Sequence, residues 1–136
     1  METTLRVLVV DDYDEAAELL GRLVEKIGHT VARARDGEEA LRVGVEFQPD
    51  VVIMDITMPG MDGYETAAAM RKTPWGGIAH LAALTGWSGP EDIQRAKDAG
   101  FDSHLEKPTG AAELRALFEA IHRHADEGAN GVPLKE

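Results

Sequence analysis

The stretch 51-VVIMDITMPGMDG-63 decides the fold. Four apolar residues, Val51 to Met54, stop at a lone carboxylate, Asp55, and the chain soon breaks into Met58-Pro59-Gly60. A short apolar run bounded by turn residues reads as a buried strand. An acid at its tip gains nothing from burial and carries a desolvation cost unless something positive meets it. The other strand ends decide whether anything does.

Outward from this segment, strand-like runs alternate with helical periodicity five times, without internal repeats or low-complexity segments. Residues 5–10, LRVLVV, read as a first buried strand. From Asp14 to Ile27 the spacing places Ala16, Leu19, Leu20, Leu23, Val24 and Ile27 on one helical face, with Gly28 as the stop. TVARA (30–34) is a second strand, and Asp36 with Glu39 forms a capping-box pattern for a helix that Pro49 ends. The third strand is 50–54, and Asp62 with Glu65 opens a third helix ending near Pro74. IAHLAAL (78–84) is the fourth strand. Ser88 and Glu91, around Gly89-Pro90, open a helix closed by Gly100. DSHL (102–105) is a short fifth strand, and Thr109 starts a last helix with Leu114, Leu117, Phe118 and Ile121 on one face. One domain is expected over 1–124, with the polar segment 125–136 as an unstructured tail.

Strict alternation with continuous apolar strands means an α/β fold, a parallel sheet covered on both faces. Right-handed crossovers make it doubly wound, with ligands outside the carboxyl ends of the strands. The formal net charge of −11 argues against direct binding to nucleic acid or anionic membrane. No cysteine is present, which excludes disulfides and thiolate metal sites and fits a cytoplasmic setting. The opening residues lack a signal-peptide pattern, and no stretch approaches the ~20 apolar residues that span a bilayer.

The first strand ends in Asp11-Asp12, the second in Arg35-Asp36, the third in Asp55, the fourth in Thr85 and the fifth in Lys107 after Glu106. In the strand order 2-1-3-4-5, three acids, a hydroxyl and an ammonium share one crevice. Carboxylates within ~4 Å repel by roughly 4 kcal/mol per pair at an effective dielectric of about 20. They stay ionised together only around a divalent cation. An all-oxygen site with open positions suits Mg²⁺ (or Mn²⁺), which favours a phosphate as partner. One carboxylate can then attack a phosphoryl group while ammonium and hydroxyl neutralise its oxygens.

Together VLVVDDYDE, DVVIMDITMPGMDGYE, ALTG and GFDSHLEKP resemble, in type, order and spacing, the response-regulator receiver family of two-component and phosphorelay signalling. The resemblance covers residues 5 to about 124, and its second half looks most like receivers at the ends of hybrid sensor kinases. It implies the five-stranded, five-helix flavodoxin- or CheY-like sheet of order 2-1-3-4-5. By position it implies that Asp55 is the phosphoacceptor and that Asp12, the Asp55 carboxylate and the Thr57 carbonyl bind Mg²⁺. Asp11 then acts mostly through a metal-bound water. Lys107 pairs with the phosphoryl oxygens, the Lys107-Pro108 peptide is cis, and Thr85 moves to the phosphoryl group when it arrives. Thr57 and Trp87 tune hydrolysis: a poor base for water and a shielding ring imply a slow one. The implied partners are a histidine kinase or phosphotransfer protein and a downstream protein bound at the fourth helix, fifth strand and fifth helix, where Arg95, Lys97, His104 and Arg115 lie. The chain is then a phosphoacceptor rather than an enzyme, monomeric or paired on phosphorylation. His104 stands where the family places Tyr or Phe, three residues before the Lys. An imidazole there can fill the space Thr85 vacates, and its protonation favours an outward ring.

Blander readings compete at several positions. Asp11-Asp12 could cap the first helix, though one acid suffices for that. Lys107 alone would be a solvated lysine, and Thr85 an ordinary strand-end hydroxyl. Met54, Met58, Met61 and Met70 read as packing. His122 and His124, two apart on a helix, make no metal site, and His29 and His80 read as turn and surface residues. A haloacid-dehalogenase-type phosphatase or phosphotransferase shares the Asp nucleophile, Mg²⁺, Ser/Thr and Lys. It needs an acid two residues after the nucleophile, where this chain has Thr57. A degenerate receiver would have lost an acid or the Lys. The domain could stand free or be excised from a hybrid sensor kinase.

Overall fold

Alternate residues along the strands point to opposite sides of a sheet, and here both sides are covered. The computed structural model describes residues 4–56, 63–86 and 89–129, apart from the side chains of 124–129. In chain order the elements are β1 (Arg6–Val10), α1 (Asp14–Ile27), β2 (Thr30–Ala34), α2 (Gly37–Phe47), β3 (Val51–Asp55), α3 (Gly63–Arg71), β4 (His80–Thr85), α4 (Pro90–Ala99), β5 (Ser103–Glu106) and α5 (Ala111–Ala129). The strands run parallel in the order β2-β1-β3-β4-β5. Val7, Val9, Val51, Ile53, Ala82 and Leu84 pack against α1 and α5, with Val24, Leu114 and Phe118 among their partners. Leu8, Val10, Val52, Met54, Leu81 and Ala83 pack on the other side with Ala40, Ala67, Met70 and Ala96 of α2, α3 and α4. Each fully buried large apolar side chain contributes about 1.5–3 kcal/mol relative to exposure, so this double burial holds the strands in place.

The register sets the functional end of the sheet. Val10 lies beside Met54, Met54 beside Ala83, and Thr85 beside Glu106. The residues that follow these pairs therefore emerge at one edge. Close approach is needed beside that edge at Gly63. A Cβ there would lie 2.7 Å from the Ile56 Cα and 2.9 Å from its Cβ, nearer than real contacts allow. Glycine thus lets the start of α3 dock onto the residue that follows Asp55.

Several helix ends follow local chemistry. Asp36 accepts a hydrogen bond from the Glu39 N–H at 2.8 Å, and the Glu39 carboxylate accepts one from Arg35 N at 2.6 Å. The α1 helix closes at Gly28, whose φ of 119° suits glycine. At α4, Gly89 occupies the N-cap with Pro90 after it; the expected cap Ser88 lies outside the described residues, as does Asp62 before α3.

Four expectations are corrected. The buried stripe of α1 is Ala17, Leu20, Gly21 and Val24, whereas Leu19 is 63% exposed. The pairs 19–20 and 23–24 leave the facing residue open, and small Ala17 and Gly21 let the helix approach the sheet along the second choice. A Cβ at Gly21 would already sit 3.3 Å from Val31. The fourth strand begins at His80, and Ile78 is 90% exposed. The Arg71 guanidinium binds the carbonyls of Gly76, Ala79 and Gly100 and the Asp102 carboxylate, pinning 72–79 as a turn. The last helix starts at Ala111, where the Gly110 N–H meets the Glu113 carboxylate, and continues to Ala129, beyond the boundary expected at 124. Polarity did not forbid a helix there, because Ala125, Asp126 and Glu127 can extend one already anchored by packing. Residues 130–136 lie outside the described residues. Finally, His29 and His80 are structural: His29 Nδ1 accepts the Leu5 N–H at 3.0 Å, its ring meets Phe118 edge-on, and His80 Nε2 lies 2.5 Å from Ser103 Oγ. Met54 and Met70 are core, as expected; Met58 and Met61 lie outside the described residues.

Candidate functional site

Backbone bonds place each polar group at the sheet's edge. Asp11 follows β1, and its N–H continues the ladder to Ala34 O at 3.0 Å. Asp55 closes β3, and Ile56 N donates to Leu84 O. Lys107 N donates to Thr85 O at 2.8 Å, tying the ends of β5 and β4 together. The peptide between Lys107 and Pro108 is cis.

These ties bring Asp11, Asp12, Asp55, Thr85 and Lys107 to one edge. The carboxylate oxygens that Asp11, Asp12 and Asp55 can offer lie within 4.8 Å of one another. Asp11 and Asp55 are buried, at 4% and 5% exposure, while Asp12 faces solvent. Lys107 Nζ lies 2.8 Å from Asp55 Oδ2. Thr85 is fully buried at the end of β4. A cleft of about 300 Å³ opens over this edge, with Ala16, Leu19 and Leu23 on one wall and Lys107 and Pro108 on another.

The electrostatics are strained. Burial raises the Asp11 carboxyl above its ordinary value; the Tyr13 N–H at 3.0 Å opposes this, Asp55 and Asp12 add to it, and Lys107 relieves it. Three ionised acids against one ammonium leave two negative charges in a small volume. The donor set is all oxygen and partly open to water, which fits a hard divalent cation and not a soft one. Asp11, Asp12 and Asp55 are the residues that would hold it.

Two expected site residues, Thr57 and Trp87, lie outside the described residues. His104 stands apart from the cleft, on the side of β5 that faces α4. Its Nε2 is buried without a hydrogen-bond partner, beside a cavity of about 80 Å³ lined also by Ile93, Lys97 and Phe101. The expected basic residues occupy different settings. The Arg95 guanidinium lies 4.2 Å from the centre of the Tyr64 ring, Arg115 borders a cleft with Gly28 and His29, and Lys97 borders the His104 cavity. Tyr13 also lines the acidic cleft, and its signal in the sequence is an aromatic residue directly after an acid pair.

Comparison with known proteins decides the family. The Response regulator receiver domain matches residues 7–119. The chain belongs to the response-regulator receiver family. Among relatives of this receiver, the gliding motility regulatory protein of Myxococcus xanthus is 38% identical over 88% of the chain and 15% of its own length. The chain spans 50–57% of the length of further curated relatives. The chemotaxis protein CheY4 of Vibrio cholerae, crystallised at low pH, superposes with a TM-score of 0.83 at 29% identity, covering 88% of this chain and 99% of that one. The receiver domain of the sensor histidine kinase PA1611 of Pseudomonas aeruginosa PAO1 gives 0.80 at 25% identity, over 89% and 99%; that structure is described with a magnesium ion coordinated in its active-site cleft. Among the described residues of this receiver, no helix is long and apolar enough to cross a membrane.

Because burial raises the Asp11 carboxyl, its charged form is the destabilising one. The penalty is complete above the raised value and fades as pH falls through it toward 3.8. An amide oxygen keeps the bond to Tyr13 N without the charge. Asp11→Asn should therefore raise the melting temperature of the metal-free receiver at neutral pH. The gain should shrink in acid and under saturating Mg²⁺. Thermal unfolding with and without chelator checks this; a lower melting temperature at neutral pH would contradict it.

Proposed function

We propose that this receiver accepts a phosphoryl group on Asp55 from a phosphohistidine of a histidine kinase or phosphotransfer protein, with Mg²⁺. The observation that carries the reading is the 2.8 Å bond from Lys107 Nζ to Asp55 Oδ2 inside a three-acid cluster. It supports one buried carboxylate aligned as nucleophile and one ammonium ready to pass to a phosphoryl oxygen. An Asp55 oxygen attacks phosphorus, the bond from phosphorus to the imidazole nitrogen breaks, and the imidazole leaves with a proton from solvent. A bound Mg²⁺ would neutralise charge on the phosphoryl oxygens. Asp11, Asp12 and Asp55, with the Thr57 carbonyl, would hold it; the magnesium in the Pseudomonas receiver supports that ion here. Thr85 would meet the phosphoryl group with its hydroxyl.

The signal would leave through α4, β5 and α5, to a downstream protein in the cytoplasm or to a second receiver. His104 supports a path to that surface, since its ring already lies under α4. Its charged neighbours there are Lys97 on α4 and Asp102 before β5.

Radiolabel from a phosphohistidine donor should appear on the wild-type chain only with Mg²⁺ and disappear in Asp55→Asn. Label persisting in that variant, or under excess chelator, would overturn the reading. For the output, the gain in partner affinity on phosphorylation should shrink in His104→Ala. An equal gain in the two proteins would remove His104 from the path.

A further inference from the structure

Tyr13 borders the cleft that holds Asp55. Its ring is 60% exposed, yet it lines the same cleft as Asp55 and Lys107. Both ends of the residue are tied: the backbone N–H donates to Asp11 at 3.0 Å, and the hydroxyl donates to Glu15 Oε1 at 2.6 Å. Tyr13 occupies the N-cap of α1, but its side chain makes no capping bond. The exposed pair with Glu15 contributes little to stability in water. The ring itself therefore remains as the part of Tyr13 that borders the cleft.

The geometry of transfer gives that ring a use. Attacking and leaving groups lie roughly in line through phosphorus. Asp55 is buried, whereas Tyr13 and Leu19, which line the same cleft, are exposed, so a donor arriving from solvent meets these two residues at the cleft. An imidazole is flat and aromatic and can meet a tyrosine ring by its face or edge. Acetate, the leaving group of acetyl phosphate, has no aromatic face and is an anion in a cleft lined by Asp11 and Asp12.

We propose that Tyr13 is a donor-specificity residue whose ring packs on the imidazole of the phosphohistidine donor and favours it over acyl phosphates. This rests on the phosphoacceptor reading of Asp55. The bonds are those of that reaction: Asp55 oxygen to phosphorus forms, phosphorus to imidazole nitrogen breaks, and the imidazole takes a proton from water.

The test is the rate of Asp55 labelling of the 136-residue chain with phosphoimidazole and with acetyl phosphate, both subsaturating and with excess Mg²⁺. Acetyl phosphate reports in each variant that the site is intact. Tyr13→Ala should slow phosphoimidazole roughly 3- to 10-fold relative to acetyl phosphate, the usual worth of an aromatic pair. Tyr13→Phe keeps the ring and should keep the wild-type ratio. An unchanged donor ratio in Tyr13→Ala overturns the proposal, and so does an equal loss in Tyr13→Phe, which would assign the effect to the bond with Glu15. Wild-type chain that takes no Mg²⁺-dependent label on Asp55 from either donor would instead overturn the phosphoacceptor reading itself.

Discussion

Mutual repulsion among Asp11, Asp12 and Asp55 is the constraint around which the molecule is arranged. Their oxygens lie within 4.8 Å, two of the three are buried, and the ammonium of Lys107 meets Asp55 at 2.8 Å while the Tyr13 N–H meets Asp11 at 3.0 Å. Such a cluster would spread apart on a flexible loop. It persists here because each member is fixed at the end of a parallel strand whose side chains are locked on both faces. The core thus supplies the stability that the site uses up. The same frustration would suit the site to a divalent cation, which would engage charge that the protein alone leaves poorly compensated.

The helices that cover the sheet differ in how much they bury. The side of α1 and α5 carries large buried residues, including Val24, Leu114, Leu117 and Phe118. On the other side, Ala96 is the only buried residue of α4, and a small cavity separates that helix from β5 at His104. A helix held by so little apolar contact sits at the low-stability end of the fold, where elements that move are found. Thr85 ends the strand beside β5, and Lys107 is bonded to its carbonyl. A pull on Thr85 would therefore reach the loosely packed helix through two adjacent strand ends.

Much of this was legible in the residues. Asp55 announced itself because an apolar run does not end on a carboxylate without a partner, and strict alternation left few places for that partner. The strand order then needed only the usual crossover rules and the receiver resemblance. What stayed hidden depended on packing between distant segments. Leu19 and Leu20 are equivalent by periodicity, and the small residues Ala17 and Gly21 settled which one faces the sheet. Ile78 looked like strand but was drawn into a turn by Arg71, whose bonds reach Gly100 and Asp102. His29 looked like a turn residue because its acceptor role for Leu5 spans 24 positions. Tyr13 passed unremarked because nothing local shows that its ring borders the cleft.

The most direct measurement is chemical mapping of the modified residue. The chain is incubated with a phosphoryl donor and Mg²⁺, the acyl phosphate is reduced with borohydride, and peptides are sequenced by mass spectrometry. Reduction turns a phosphorylated aspartate into homoserine and leaves free carboxylates untouched. The buried carboxylate bonded to Lys107 should be the only one converted, giving homoserine at position 55 alone. Conversion at Asp11 or Asp12, or none anywhere despite Mg²⁺ and donor, would contradict the account.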